Sequence, residues 1–227
     1  MLNLKALPIK SGALLLSVGI TGMLSAPAHA ALVNGVTAST DMGAAYITDI
    51  RNTVNGVGLS SLDLNATHAP TSPRNSWVAD FGRTTGTITF NLHALYNLAG
   101  FSFWNQNAGG PGPIGTTGIK GVTVQTSTNG INFSDLLGGP TQFSQVASSF
   151  SLPEKFSFAP TSASIVRFLV NSNWGDSSTT GFAEVQFDGK PTATAVPTPA
   201  LLPGLIGMGV AALRKRKREG VEQPSEA

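Results

Sequence analysis

Two short stretches carry side chains able to recognise a small polar molecule. "FWNQNAGG" places Trp104, Asn105, Gln106 and Asn107 in a row, and "NSNWGDSS" places Asn173, Trp174 and Asp176 within four positions. Sugar recognition needs this mixture: a flat apolar surface for the C–H face of a pyranose, and amides or carboxylates for its hydroxyls. Trp174, Asn173, Asp176, Trp104 and Asn107 are therefore the candidate ligand-binding residues, with Asn105 expected to tie down its own loop. Trp174 is the less expected indole. A large aromatic in a Gly/Ser/Asn loop needs a contact to offset its exposure, either a ligand or the rim of the fold.

Catalytic chemistry finds little to stand on. Beyond residue 30 the only histidines are His68 and His93, and neither H-E-x-x-H nor G-x-S-x-G occurs. No pair of carboxylates stands at a spacing that brings them together, so no catalytic residue is assigned. His93 follows a strand-like run and reads as a surface turn residue. The absence of cysteine excludes disulfides, thiolate metal sites and cysteine nucleophiles.

Charge excludes another class. The formal net charge is +2, yet residues 31–195 hold seven Lys/Arg against nine Asp/Glu, so the basicity belongs to the ends. Nucleic-acid binding needs a clustered positive surface that displaces phosphate counterions, and the body has none.

The elements that would position these residues lie between two unusual ends. Lys5 and Lys10 precede the apolar stretch "GALLLSVGITGML" and then "APAHA". This is the three-part pattern of a secretory signal peptide over residues 1–30, with Ala28 and Ala30 as the small residues before cleavage between Ala30 and Ala31. At the other end, residues 200–213 are apolar and would rise only about 21 Å as a helix, short of a hydrocarbon layer of about 30 Å. Pro203 shortens the span further, and the basic run Arg214 to Arg218 marks the cytoplasmic side.

Between the ends, short alternating runs recur. "TITFNL" sets Ile88, Phe90 and Leu92 on one face, and "GVTVQTS" does the same with Val122 and Val124. "IVRFLV" alternates Val166, Phe168 and Val170 with Arg167. "AEVQF" sets Ala183, Val185 and Phe187 opposite Glu184 and Gln186, and both of these runs are expected to be half-buried strands. Turn-rich separators such as "STNG" and "GGPGPIG" divide them, which together read as an all-β sandwich or jelly roll.

Two resemblances sharpen this reading. "VPTPALLPGLIGMGVAALRKRK" resembles the PEP-CTERM sorting signal in its cyanobacterial PTPA form, with Val196, Pro197, Thr198 and Pro199 in place of the commoner VPEP. It implies recognition by an exosortase-type membrane protease. The ordered series "NSWVADFG", "ITFNLHALYNLAGFSFWNQN", "GIKGVTVQTSTNGINFSDL", "IVRFLVNSNWG" and "GFAEVQFDG" resembles the discoidin, coagulation-factor type C family of galactose-binding-like jelly rolls. That resemblance places Trp77 and Trp104 mainly in the core. It also implies a structural calcium ion held by Glu184 of the closing strand, with oxygens of Thr40, Asp41 and Asn55–Gly56 as partners, in keeping with calcium's six to eight oxygen ligands.

The expected organisation is a signal peptide (1–30), a discoidin-like jelly roll (31–190), a Pro/Thr linker with the sorting motif (191–199), a hydrophobic helix (200–213) and a basic cytoplasmic tail (214–227). The expected function is an exported, surface-retained, non-catalytic protein binding envelope or matrix carbohydrate. The alternative is a structural or adhesion protein that engages proteins or itself.

Overall fold

The computed structural model describes residues 31–108 and 112–192. The expected signal peptide, the sorting motif Val196–Pro199, the hydrophobic helix and the basic tail all lie outside these residues. Within them the chain forms seven strands and one 3-10 turn: β1 (Thr37–Thr40), the turn Ile50–Thr53, β2 (Trp77–Val78), β3 (Gly86–Asn105), β4 (Val122–Ser127), β5 (Ser134–Asp135), β6 (Glu154–Val170) and β7 (Gly181–Pro191). Every strand pairing is antiparallel. Among the described residues no helix is long and apolar enough to cross a membrane.

Two long strands make one ladder serve two layers. The first half of β3 pairs with β1 and with residues 165–170 of β6; its second half pairs with β7 and with residues 154–163 of β6. β4 extends the first layer beside β6 and carries β5 at its edge, while β2 caps β7 in the second. Between the halves the register of β3 slips from Asn91 to Tyr96, and His93 sits there with a left-handed φ of 60°. His93 is exposed, and its Nε2 lies 2.8 Å from Thr37 Oγ1.

A second slip, between Leu98 and Gly100, explains how β6 tolerates a proline. Pro160 falls in the bulge between Ser157 and Thr161, where a missing N–H breaks no ladder bond. Opposite it, a side chain at Gly100 would collide with the Phe156 carbonyl oxygen.

The layers close on an aromatic core. Phe90 and Phe168 of the first layer, 4.9 Å apart, meet Phe101, Phe103, Phe182 and Phe187 of the second at centroid separations of 5.4–6.4 Å. The alternation in "TITFNL" and "GVTVQTS" is realised: Ile88, Phe90, Leu92, Val122 and Val124 are all buried. "IVRFLV" is half-buried, with Val166, Phe168 and Val170 inward.

"AEVQF" departs from the expected half-burial. Glu184 is 0% and Gln186 6% exposed, so β7 is covered on both faces. The cover is the long connection between the 3-10 turn and β2, which crosses the outer face of β3 and β7. It is fastened by Gly56 N–H to Glu184 Oε1 (3.0 Å), Ser102 Oγ to Leu64 O (2.7 Å) and Trp104 Nε1 to Ala66 O (2.9 Å). Strand periodicity cannot foresee a loop that buries polar side chains by satisfying some of their hydrogen bonds.

Candidate functional site

At one end of the sandwich the loops 41–48, 79–85, 112–121 and 171–180 converge, each leaving or entering a strand of the double-layered ladder. Loops 79–83 and 178–180 run side by side, joined by Ala79 N–H to Thr180 O (2.8 Å), Gly82 N–H to Ser178 O (2.7 Å) and the Arg83–Thr179 bridge. The Trp174 loop is thus built into this end.

Within that loop the polar side chains hold the backbone. Asn173 Nδ2 donates to Asp176 O (2.7 Å) and Thr179 O (2.6 Å), and its Oδ1 accepts from Gly175 N–H. Asp176 accepts from the Ser178 N–H and hydroxyl, from Thr179 N–H and from the Thr117 hydroxyl. Burial pushes its carboxyl upward, but these donors outweigh that and hold it below the usual range. Trp174 is half-buried: its indole N–H donates to Phe143 O at 3.2 Å, and the Lys120 ammonium lies 4.7 Å from its ring centre.

The other loop named from sequence goes inside. Trp104 and Asn107 have no exposed surface. Asn107 accepts from Thr71 N–H (2.8 Å) and donates to Ala69 O and Ser151 Oγ (both 3.1 Å). Asn105 fastens its loop as expected, donating to Ile119 O and Ser144 O and accepting from Ile119 N–H. Trp77 is also buried, its indole bonded to Gly43 O at 2.7 Å.

The same end presents a surface that sequence reasoning missed. Tyr46 (43% exposed) and Phe81 (62% exposed) meet edge to face with centroids 5.1 Å apart, beside Ile47 at 97% exposure. Tyr46 and Ile47 are the central residues of a tight turn closed by Thr48 N–H to Ala45 O (2.9 Å), and both have positive φ, 54° and 61°. Such primed turns ordinarily use Asn and Gly; a β-branched residue there is strained by about 1–3 kcal/mol. The strain is imposed by fastenings on either side: Ala45 N–H to Val78 O, Asp80 N–H to Met42 O, and the Thr48 hydroxyl exchanging bonds with Val78. Asp80 and Arg83, both exposed, flank the ring pair, and neither side chain has an ion-pair partner among the described residues. A side chain at Gly43 (φ 66°) would strike the Asp80 carboxylate, so glycine leaves room for it. No clear signal marks this surface, because "ADFG" reads as strand and Tyr46–Ile47 belong to no alternating run.

The residues implied for calcium divide. Glu184 and Asn55–Gly56 are brought together: Oε1 is bonded to Gly56 N–H, while Oε2 is buried without a partner. Burial raises the Glu184 carboxyl to about 8, against smaller opposing effects from Gly56 and Gln186. Asn55 is exposed and its Oδ1 accepts from Val57 N–H. Thr40 and Asp41 are instead committed to Thr87, the first donating to its carbonyl (2.9 Å) and the second accepting from its N–H (2.7 Å). Among the described residues no three His, Asp or Glu side chains gather as a metal-binding group.

Neither a protein-family model nor a curated protein matches the chain. Solved structures do. CBM32-3 from a family 31 glycoside hydrolase of Clostridium perfringens aligns at 17% identity and a TM-score of 0.52, covering 71% of this chain and 95% of that one. CBM32-1 from a family 31 glycoside hydrolase of the same organism aligns at 9% identity and 0.50, covering 69% and 96%. A family 89 glycoside hydrolase, also from Clostridium perfringens, aligns at 17% and 0.49 over 73% of this chain, which spans only 15% of that much longer one. With the antiparallel two-layer ladder, the two CBM32 matches show that the fold is the galactose-binding-like jelly roll of those modules.

Proposed function

We propose that the protein is a non-catalytic carbohydrate-binding module, exported and held at the cell surface. The observation that carries the reading is the Tyr46–Phe81 ring pair, exposed on a strained turn and flanked by Asp80 and Arg83. Aromatic rings offer a sugar's C–H face an apolar surface, and a free carboxylate and guanidinium can bind its hydroxyls. The jelly roll shared with CBM32 modules supports the same reading. Trp174 contributes at the neighbouring loop through whatever ring surface Lys120 and Phe143 leave open. Binding of the full-length chain to a glycan array tests it: bound glycan lost on Phe81→Ala supports the reading, and no binding to any glycan overturns it.

Export rests on the signal-peptide pattern ending at Ala30, and retention on the PEP-CTERM-like end, with an exosortase-type protease as processing partner. A structural calcium ion at Glu184 belongs to the same proposal. The orphaned Oε2, beside the Asn55–Gly56 segment, suits a hard cation that would keep the carboxylate ionised and tie the cover to β7.

Exposed Ile131, Leu137, Phe150 and Leu152 favour the second reading, a matrix or adhesion protein that associates with itself. Concentration-dependent sedimentation separates the two, since a sugar-binding module stays monomeric.

A further inference from the structure

The ladder begins at the first residue after the expected cleavage point. Gly189 N–H donates to Ala31 O at 2.9 Å, Leu32 bridges Asp188, and Val33 N–H donates to Phe187 O at 2.9 Å. Ala31 is therefore already a paired residue on the edge of β7. Its own nitrogen lies 2.9 Å from Asp188 Oδ1, across 157 positions of sequence.

That nitrogen changes character on processing. While the leader is attached it is a neutral amide, worth an ordinary hydrogen bond to a carboxylate. Cleavage after Ala30 turns it into an α-ammonium group, which ordinarily titrates at about 7.7–8.0 and is therefore largely charged at neutral pH. The bond to Asp188, assisted until then by the charge of its acceptor alone, gains a charged donor and becomes an ion pair. We propose that Asp188 is the receptor for the new N-terminus, so that signal cleavage converts the Ala31–Asp188 bond into an ion pair that clamps the mature chain end onto β7. This rests on the export reading above.

Two neighbouring features fit the role. Asp188 is half-buried and fixed in the ladder opposite Gly100, so the carboxylate is held in position before the charge appears. The clamp also sits three residues from the end of β7 at Pro191, where the chain leaves for the sorting segment. The two ends of the domain are thus joined at one place, and the side chain that joins them is matched to a terminus created only by processing.

The test combines mass spectrometry with a thermal cycle. The mature N-terminus is read by mass: a chain that still starts at Met1 overturns the export reading, and a processed start other than Ala31 overturns the clamp alone. The clamp itself is measured on chain released with Ala31 at its start, with and without Nα-acetylation, in the native sequence and in Asp188→Asn. Acetylation of the native protein is expected to lower Tm by about 1–4 °C, the shift an exposed ion pair gives in a domain of this size. In Asp188→Asn acetylation is expected to change nothing. Equal shifts in both, or none in the native protein, overturn the clamp. Should Asp188→Asn fail to fold, Asp188→Glu replaces it: a reduced but measurable acetylation effect supports the ion pair, and loss of all effect with folding intact overturns it.

Discussion

Glu184 Oε1 accepts a 3.0 Å hydrogen bond from Gly56 N–H across 128 positions of sequence, while Oε2 of the same fully buried carboxyl has no partner. One bond to one oxygen is poor compensation for an ionised carboxylate out of water. The group therefore holds its proton to about pH 8. The strand that closes the sandwich carries an acid that stays neutral at physiological pH unless a cation joins it.

Stability follows directly from that proton. The folded carboxyl is raised above its unfolded value of 4.5, so the folded state binds the extra proton between 4.5 and about 8. Stability is fullest below the unfolded value and falls as pH rises through this window, at about 1.4 kcal/mol per pH unit. Glu184→Gln removes the titration, so the variant is expected to gain Tm relative to the native protein as pH rises from 5 to 8. Calcium opposes this slope, because it binds the ionised carboxylate. If the ion binds Glu184, excess calcium flattens the native pH dependence and Glu184→Gln loses that protection. Melting curves at several pH values, with chelator and with calcium, read both outcomes.

How far the sequence foretold this depends on which physical rule each residue obeys. Ile88, Phe90, Val122 and Val124 follow the two-residue period because one face of each strand meets the core, and their burial is as expected. Asn105 is a loop fastener as expected, although the carbonyls it holds, those of Ile119 and Ser144, lie 14 and 39 positions away. Glu184 and Gln186 follow no such rule, because a connection more than a hundred residues upstream covers them. Tyr46, Ile47 and Phe81 escape notice because their meaning lies in a backbone conformation, two left-handed residues pinned by Thr48 and Ala45, that composition does not reveal.

The two loop tryptophans are expected to separate fold from binding. Trp104 is fully buried and its indole N–H is satisfied by Ala66 O, so Trp104→Ala should cost about 3–5 kcal/mol through the cavity and the stranded carbonyl. Trp174 is half-buried against Phe143 and Lys120, and Trp174→Ala should cost roughly a third of that. Denaturant melts give the ranking. Glycan affinity measured on the folded fraction is expected to be unchanged by Trp104→Phe and weakened by Trp174→Ala.

Asp176 is expected to set the acid limit of the binding end. Its four donors lower the carboxyl in the folded state, so the stability it supplies is present above its unfolded value of 3.8 and is lost as pH falls through the folded one. Asp176→Asn keeps the shape but offers one carbonyl oxygen to donors that now use two carboxylate oxygens. The variant should open loop 171–180 at neutral pH, seen as faster hydrogen exchange at Gly82 and Thr179, while the aromatic core stays protected.

The strained turn gives the sharpest separation between stability and binding. Ile47 is 97% exposed, so its side chain contributes almost no packing, yet its φ of 61° costs about 1–3 kcal/mol in a β-branched residue. Ile47→Gly adopts that conformation freely. Part of the gain is offset, because glycine also widens the unfolded ensemble by up to about 1 kcal/mol. The net expectation is a protein as stable as the native one or up to about 2 kcal/mol more so. A position kept strained and apolar without structural benefit points to use by a ligand. Glycan affinity should therefore fall by about tenfold in Ile47→Gly while Tm holds or rises, and Phe81→Ala should fall at least as far. A variant that is destabilised, or that binds as well as the native protein, removes Ile47 from the site and leaves the Tyr46–Phe81 pair to account for recognition alone.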